Sequence, residues 1–279
     1  MVGDTGLEPV TSAMSTEARF ARLESYLNRL NLQGLSVNYV NKVREFLERY
    51  VEEVRELTPA SAISYLSRYA RHKPTTRARY TTYLKGFFNF LGIHLELRVK
   101  VPKSLPPFIA AEDIEKLRTS LLNKKTHKGC GFRDLTLVDT AAKTGLRRSE
   151  LANLRVRDLD FGALRLKVVD GKGGKDRVVP LLPTLAESLR KLCAGKERDE
   201  RVFGLSPVGL GMKIHTWAKK VGVQLNTHSF RHHFATTLVE RGANLRAVQE
   251  LLGHSNLNTT QLYVAVTGKH LDDAIKLLA

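Results

Sequence analysis

Apolar residues recur at three- and four-residue spacing along most of this chain, the period of helices that bury one face. Phe20, Leu23, Leu27 and Leu30 predict a first helix, and Val40, Val43, Leu47, Tyr50, Val51 and Val54 a second. Thr58-Pro59 opens a third, with proline at the first helical position where its missing N–H is not needed. Its inward face is read as Ile63, Leu66 and Tyr69. Lys73-Pro74-Thr75 breaks the chain before a fourth helix. There Tyr80, Leu84, Phe87, Phe88 and Leu91 face the core, while Arg77, Arg79 and Lys85 are left for solvent or phosphate. Residues 1–14 show no such period and are expected to stay outside the fold as a disordered tail.

The stretch V-K-V-P-K-S-L-P-P at 99–107 blocks helix and favours an extended spacer. The expected organisation is a helical domain over 15–100, a linker over 101–107 and a second domain over 108–279. In that second domain Ala111-Glu112-Asp113 is an acidic helix start before Ile114 and Leu117. A polar basic loop over 124–131 precedes an apolar helix over 135–143. Next comes T-G-L-R-R-S-E-L-A-N-L-R at 144–155. Gly145 ends one helix and Ser149 lies early in the next, which sets Arg147 at the junction. Apolar and β-branched runs at 164–169 and 178–182 flank D-G-K-G-G-K-D-R and predict a hairpin. Amphipathic helices follow over 185–192 and 212–221, the latter placing Trp217 in the core.

The last part of the chain reads T-H-S-F-R-H-H-F-A-T-T-L, then G-A-N-L-R-A-V-Q-E-L-L-G-H-S-N-L-N-T-T-Q-L-Y-V. Residues three apart share a helical face, so His228 and Arg231 point the same way. Gly242 ends that helix. A second helix from Leu245 stops at Gly253 and delivers His254 at its C-terminus. A polar turn then leads to Tyr263 on a new short helix. Leu271, Ala274, Ile275 and Leu278 form one apolar stripe near the end. The fold class expected is mainly α with a small β-hairpin or sheet.

Length and composition add a partner to this outline. The 279 residues suit two domains, and 42% hydrophobic content is ample for two cores. A formal charge of +17 is the footprint of a polyanion, because neutralising phosphates and releasing counterions drives binding. Charge alone leaves ribosomal or membrane-surface binding open. Cys130 and Cys193 are too few for a disulfide framework or a zinc ribbon. No apolar run approaches ~20 residues, and the amino end has no secretory core, so a reducing cytoplasm is expected.

Several residues have ordinary readings beside chemical ones. A helical histidine is commonly structural, and a lone tyrosine is commonly half-buried core. His228 and His232 have the spacing of a helical zinc pair, but Ser229 stands where such hydrolases need glutamate. The turn from Lys172 to Lys175 is not a P-loop, since no Ser or Thr follows Lys175 and the upstream glycine is missing. Neither a metal nor another cofactor is expected.

H-S-F-R-H-H-F-A-T, L-L-G-H-S and T-T-Q-L-Y closely resemble, in order and spacing, the catalytic box of the tyrosine recombinases, the lambda-integrase and Xer-type site-specific DNA recombinases. T-G-L-R-R-S-E-L resembles the same family's first arginine box, and G-K-G-G-K its lysine hairpin. The resemblance implies a two-domain, C-shaped clamp on double-stranded DNA, with the amino-terminal helices as a SAM-like core-binding domain. It implies Arg147, Lys172, His228, Arg231, His254 and Tyr263 as catalytic residues, with Glu150 bracing Arg147 or a histidine. Arg77, Arg79, Lys85, Arg148, Lys175 and Arg177 are the expected DNA-binding cations.

The implied chemistry needs neither ATP nor metal. Arg147, Arg231 and His254 neutralise a pentacoordinate phosphorane while Tyr263 attacks with His228 as base. Lys172 protonates the 5′ oxygen, and a 3′-phosphotyrosyl bond stores the energy for rejoining. The resemblance also implies a tetramer on DNA, strand exchange through a Holliday junction and a carboxyl-terminal helix donated to a neighbouring protomer. Two rival readings are a type IB topoisomerase-like relaxing enzyme and a non-catalytic architectural protein. Filled catalytic positions speak against the second. Gly6-Leu7-Glu8-Pro9 resembles an antisense reading of a tRNA T-arm, which favours integration or excision of a mobile element, as in some archaeal integrases, over Xer-type dimer resolution.

Overall fold

The computed structural model describes residues 14–102, 109–123, 128–169 and 176–253. The chain divides into two compact units, Met1–Ser104 and Leu105–Ala279.

The first unit is four helices around one core: α1 (Thr16–Leu32), α2 (Val37–Glu53), α3 (Pro59–Ser67) and α4 (Pro74–Phe90). Ser15 and Ser36 cap α1 and α2 by accepting from the N–H of Ala18 and Tyr39, donors that a helix start leaves unpaired. Thr58 and Ser61 exchange hydrogen bonds in a capping box on α3. Val40, Val43, Phe46, Leu47, Tyr50 and Val51 of α2 are all buried, and each such side chain contributes about 1.5–3 kcal/mol when fully withdrawn from water.

Three expectations need correction here. The buried face of α3 is Ala62 and Tyr65, whereas Ile63 is 46% exposed. The aromatic cluster takes Tyr65, which meets the rings of Phe46 and Tyr50 at 5.7 and 5.1 Å, and this sets the rotation of a short helix with two competing apolar stripes. On α4, Thr81 and Tyr83 are buried beside Leu84, Phe87 and Phe88, while Tyr80 is half-buried, stacked on Phe46 at 4.4 Å. Met14 joins the fold rather than a tail: it packs on the core, and its carbonyl accepts from Arg19 Nη1 at 2.6 Å. Arg19 is itself buried and reaches the carbonyls of Val51 and Arg55, tying α1 to the end of α2.

The second unit begins with α5 (Ala111–Leu122) and α6 (Lys128–Thr144). Helix α6 starts within the stretch expected to be loop, so residues 128–131 are helical. The short α7 (Arg148–Asn153) follows, then a sheet of β1 (Leu159–Asp160), β2 (Arg165–Val168) and β3 (Arg177–Pro180). All pairings are antiparallel, with Leu166 opposite Val179 and Leu159 opposite Leu166. Strand β1 was not expected; two residues are too short to show an alternation. The chain continues through α8 (Pro183–Cys193), α9 (Pro207–Lys220), α10 (Thr227–Glu240) and α11 (Leu245–Leu252). Leu117, Leu137, Leu166, Leu189, Leu210, Ile214 and Phe230 lie in one core that joins the sheet to the helices, and Trp217 is buried with them. Among the described residues no helix is long and apolar enough to cross a membrane.

Gly145, between α6 and α7, has φ +62°, and a Cβ there would lie 2.5 Å from Phe234 Cδ1 and 3.1 Å from Leu252 Cδ2. The turn therefore admits α10 and α11 against its backbone. Gly145→Ala meets a left-handed penalty of about 1–2 kcal/mol and overpacking of about 1–3 kcal/mol. A drop in Tm of roughly 5–15 °C is expected in a thermal melt; an unchanged Tm would show that Phe234 moves aside freely.

Candidate active site

Three segments far apart in sequence meet at the C-terminus of α11. The first is the α6–α7 turn. Leu146 is buried, and Arg147 stands at the N-cap of α7 with extended backbone, so its side chain leaves the helix start. Glu150, in the first turn of α7, returns to it. Its Oε2 accepts from the Arg147 backbone N–H at 2.7 Å and its Oε1 from Arg147 Nη1 at 2.6 Å. The second segment is α10. Asn226 caps it by accepting from the N–H groups of His228 and Ser229, which sets His228 at the second helical position and Arg231 one turn later.

Arg231 is only 2% exposed, yet it is a permanent cation. Its Nη1 donates to the Gly145 carbonyl at 2.7 Å and its Nη2 to that of Leu252. Arg147 Nη2 donates to the Gly253 carbonyl at 2.9 Å. Gly253 ends α11 in the left-handed conformation, φ +63°, as expected of a glycine C-cap. Both guanidiniums are thus oriented by carbonyls that a helix end leaves without intrahelical donors.

The third segment is β3, and it corrects an expectation. Arg177 was assigned to the DNA-facing cations, but its side chain is 8% exposed. Its Nη1 and Nη2 reach Glu150 Oε1 and Oε2 at 3.0 and 2.7 Å, and its Nε reaches the Leu251 carbonyl at 2.8 Å. A signal for this was present: side chains two apart on a strand share a face. Val179 is buried and Val178 is 48% exposed, so Arg177 belongs to the inner face.

Electrostatics follow from this packing. Burial alone pushes the Glu150 carboxyl up, but Arg177's side-chain bond, Arg147's backbone N–H, the Arg177 charge and Arg147's side-chain bond outweigh it and hold it at about 2. Burial, then the charges of Arg231 and Arg147, hold His228 below its usual 6.5. His232 meets His228 edge to face, ring centroids 4.4 Å apart, and burial followed by the charges of His228 and Arg231 lowers it to about 4. Both shifts favour the neutral imidazole at pH 7. Among the described residues no group of three His, Cys, Asp or Glu side chains is placed to hold a metal.

The other expected site residues distribute as follows. Arg148 begins α7 and packs along Gly211 of α9, with Gly211's notional Cβ 3.2 Å from its Nη1. Arg77, Arg79 and Lys85 lie on α4 in the first unit. Arg79 is exposed with its guanidinium 5.4 Å from the Tyr80 ring centre, and Arg77 and Lys85 are half-buried. Lys172, Lys175, His254 and Tyr263 lie outside the described residues, as do the terminal stripe and Gly6 to Pro9.

Comparison with known proteins identifies the family. Residues 107–270 match the phage integrase family. The chain is 35% identical over 270 residues to tyrosine recombinase XerA of Pyrococcus horikoshii, covering 91% of this chain and 92% of that one. It is 32% identical over 291 residues to tyrosine recombinase XerD of Listeria monocytogenes serovar 1/2a, covering 91% and 97%. Its fold resembles that of XerH site-specific recombinase in a pre-cleavage complex with difH substrate, with a TM-score of 0.74 over 97% of this chain and 99% of that one at 20% identity. The chain belongs to the phage integrase family and is a tyrosine recombinase, an enzyme that breaks and rejoins DNA strands at specific sites.

Proposed function

We propose that Arg147, Arg231 and His254 neutralise the scissile phosphate, that Tyr263 attacks it with His228 as base, and that Lys172 protonates the leaving 5′ oxygen. The observation that carries this reading is the convergence of Arg147 and Arg231 on the last turn of α11, immediately before His254 in the chain, with Glu150 bonded to Arg147 and His228 in the field of both guanidiniums. A phosphodiester resists attack because it is anionic and its alkoxide leaves poorly. Two guanidiniums answer the first difficulty and a lysine the second. His228, held neutral, is able to take the phenolic proton at pH 7. The domains act as proposed from sequence: 15–100 binds the core of the DNA site with Arg77, Arg79 and Lys85, and 108–279 carries the chemistry, aided by Arg148 and Lys175.

Assembly is part of the proposal. Four protomers exchange strands pairwise on two duplexes, and the stripe Leu271, Ala274, Ile275 and Leu278 of each docks on a neighbour. A cavity of about 790 Å³ lined by Ile109, Ile114, Ala142, Leu182, Phe234 and Leu238 has the apolar chemistry to receive it. The work is placed in the cytoplasm, on the nucleoid. Relatives named tyrosine recombinase XerA and XerD, matched along nearly their whole lengths, and the fold likeness to XerH bound to difH support recombination at a dif-like site. A second reading, integration at a tRNA-like site, rests on Gly6-Leu7-Glu8-Pro9. Nicked duplexes carrying difH, the gene's own 5′ codons or random sequence, incubated without metal, decide between them by which one yields an SDS-resistant adduct. Absence of an adduct on all three would overturn the catalytic assignment.

The pH dependence follows from the neutral imidazole. Single-turnover cleavage is expected to stay level between pH 7 and 8 and to fall only below about 6.5, the ordinary histidine value that His228 lies beneath. Stability follows the same sign: a lowered histidine means the unfolded chain binds more protons, so the fold weakens as pH drops from about 6.5 toward about 4. A cleavage midpoint above pH 7 would exclude His228 as the base in this setting.

A further inference from the structure

Three successive carbonyls close α11, and each accepts from a different arginine. Leu251 takes Arg177 Nε, Leu252 takes Arg231 Nη2 and Gly253 takes Arg147 Nη2. The reading above gives Arg147 and Arg231 work on the phosphate and leaves Arg177 none. Yet Arg177 uses all three of its nitrogens on Glu150 and α11. Its Nη1 and Nη2 span both Glu150 oxygens, the same oxygens that hold Arg147 by backbone and side chain, and its Nε holds the helix end. Its aliphatic stem and guanidinium lie against Gly253, where a Cβ would meet Cδ, Nη1 and Cζ at 3.1–3.4 Å.

We propose that Arg177 is a positioning residue for strand cleavage, fixing the Arg147 guanidinium through their shared carboxylate and the residue before His254 through the α11 carbonyls. This rests on the catalytic reading given above. The geometry demands arginine: a planar fork is required to bridge two carboxylate oxygens while a third N–H points elsewhere, and an ammonium has no such shape. Arg177 opens β3, so the same side chain links the strand that follows Lys172 and Lys175 in the sequence to both other segments. Its contribution to DNA affinity is expected to be negligible, since a buried cation paired with a carboxylate releases no counterion.

The test uses the full-length protein and Arg177→Lys, with Arg177→Met as a second variant, on a nicked duplex that wild type cleaves. Single-turnover adduct formation is expected to fall on the order of 10²-fold, the scale of a small misplacement of reacting groups. Duplex Kd and the slope of log K against log salt stay at their wild-type values. Glu150→Gln combined with Arg177→Lys is expected to cleave no more slowly than the worse single variant, as for residues acting through one unit. A duplex with one methylphosphonate at the scissile linkage, which lacks the charge that Arg147 neutralises, narrows the gap between wild type and Arg177→Lys.

Unchanged cleavage by both variants overturns the proposal. So does a salt slope smaller by about 0.9, the mark of a lost phosphate contact, and so does an equal loss on phosphodiester and methylphosphonate accompanied by a lower Tm, the mark of general unfolding. Failure of wild type to form any adduct would instead overturn the catalytic reading beneath it, and with it this inference.

Discussion

Tyr263→Phe abolishes the SDS-resistant protein–DNA adduct on a nicked duplex and leaves duplex binding unchanged. The expected fall in cleavage is on the order of 10⁶, the size seen when a covalent nucleophile is removed. Seven of the eight tyrosines lie between Tyr26 and Tyr83, in the first unit. Tyr26 and Tyr50 are buried there, and burial pushes both up to about 12. Tyr263 is the one phenol in the second unit's sequence. A free phenol has a pKa near ~10, so attack at neutral pH needs a base and a positive field, which His228, Arg147 and Arg231 are proposed to supply. The measurement is a denaturing gel of labelled duplex after incubation without metal. A surviving adduct would move the nucleophile to another residue and dissolve the mechanism.

Arg231→Lys is expected to slow single-turnover cleavage roughly 10²–10³-fold, the scale of losing one preorganised transition-state donor. The charge is retained, so the loss would report geometry. Arginine holds Gly145 and Leu252 with two separate nitrogens. A lysine ammonium has no fixed fork to hold both and face a phosphate. One carbonyl left without a donor in this buried place weakens the fold by about 1–3 kcal/mol, so thermal melts accompany the kinetics. Cleavage within a few fold of wild type would show that the site takes its neutralising charge from elsewhere.

These two predictions rest on different kinds of legibility. The order and spacing of His228, Arg231, His254 and Tyr263 could be read directly from the chain, because a motif's order and spacing are properties of the sequence itself. So could α1 and α2, whose apolar periods are long enough to specify one face. Helix α3 has nine residues with two apolar stripes, and the choice of Ala62 and Tyr65 over Ile63 was made by the ring cluster of another helix. Strand β1 has two residues and exists only through pairing with β2. The pairing of Arg177 with Glu150 was not legible in its charge, because strand alternation turns it inward with Val179.

By itself the sequence determined the mainly helical class, the glycine stops at Gly145 and Gly253, the strong positive charge and the chemical inventory of the site. Local propensity, periodicity and residue chemistry are properties of neighbouring positions, so they survive without a fold. Only the tertiary structure decided that Arg147, Arg177 and Arg231 converge on one helix end, that Glu150 serves two of them at once and that burial beside two guanidiniums holds His228 below its usual value. Each of those depends on groups distant in sequence being brought together and withdrawn from water, where hydrogen-bond geometry and desolvation, rather than spacing, determine what a charged side chain does.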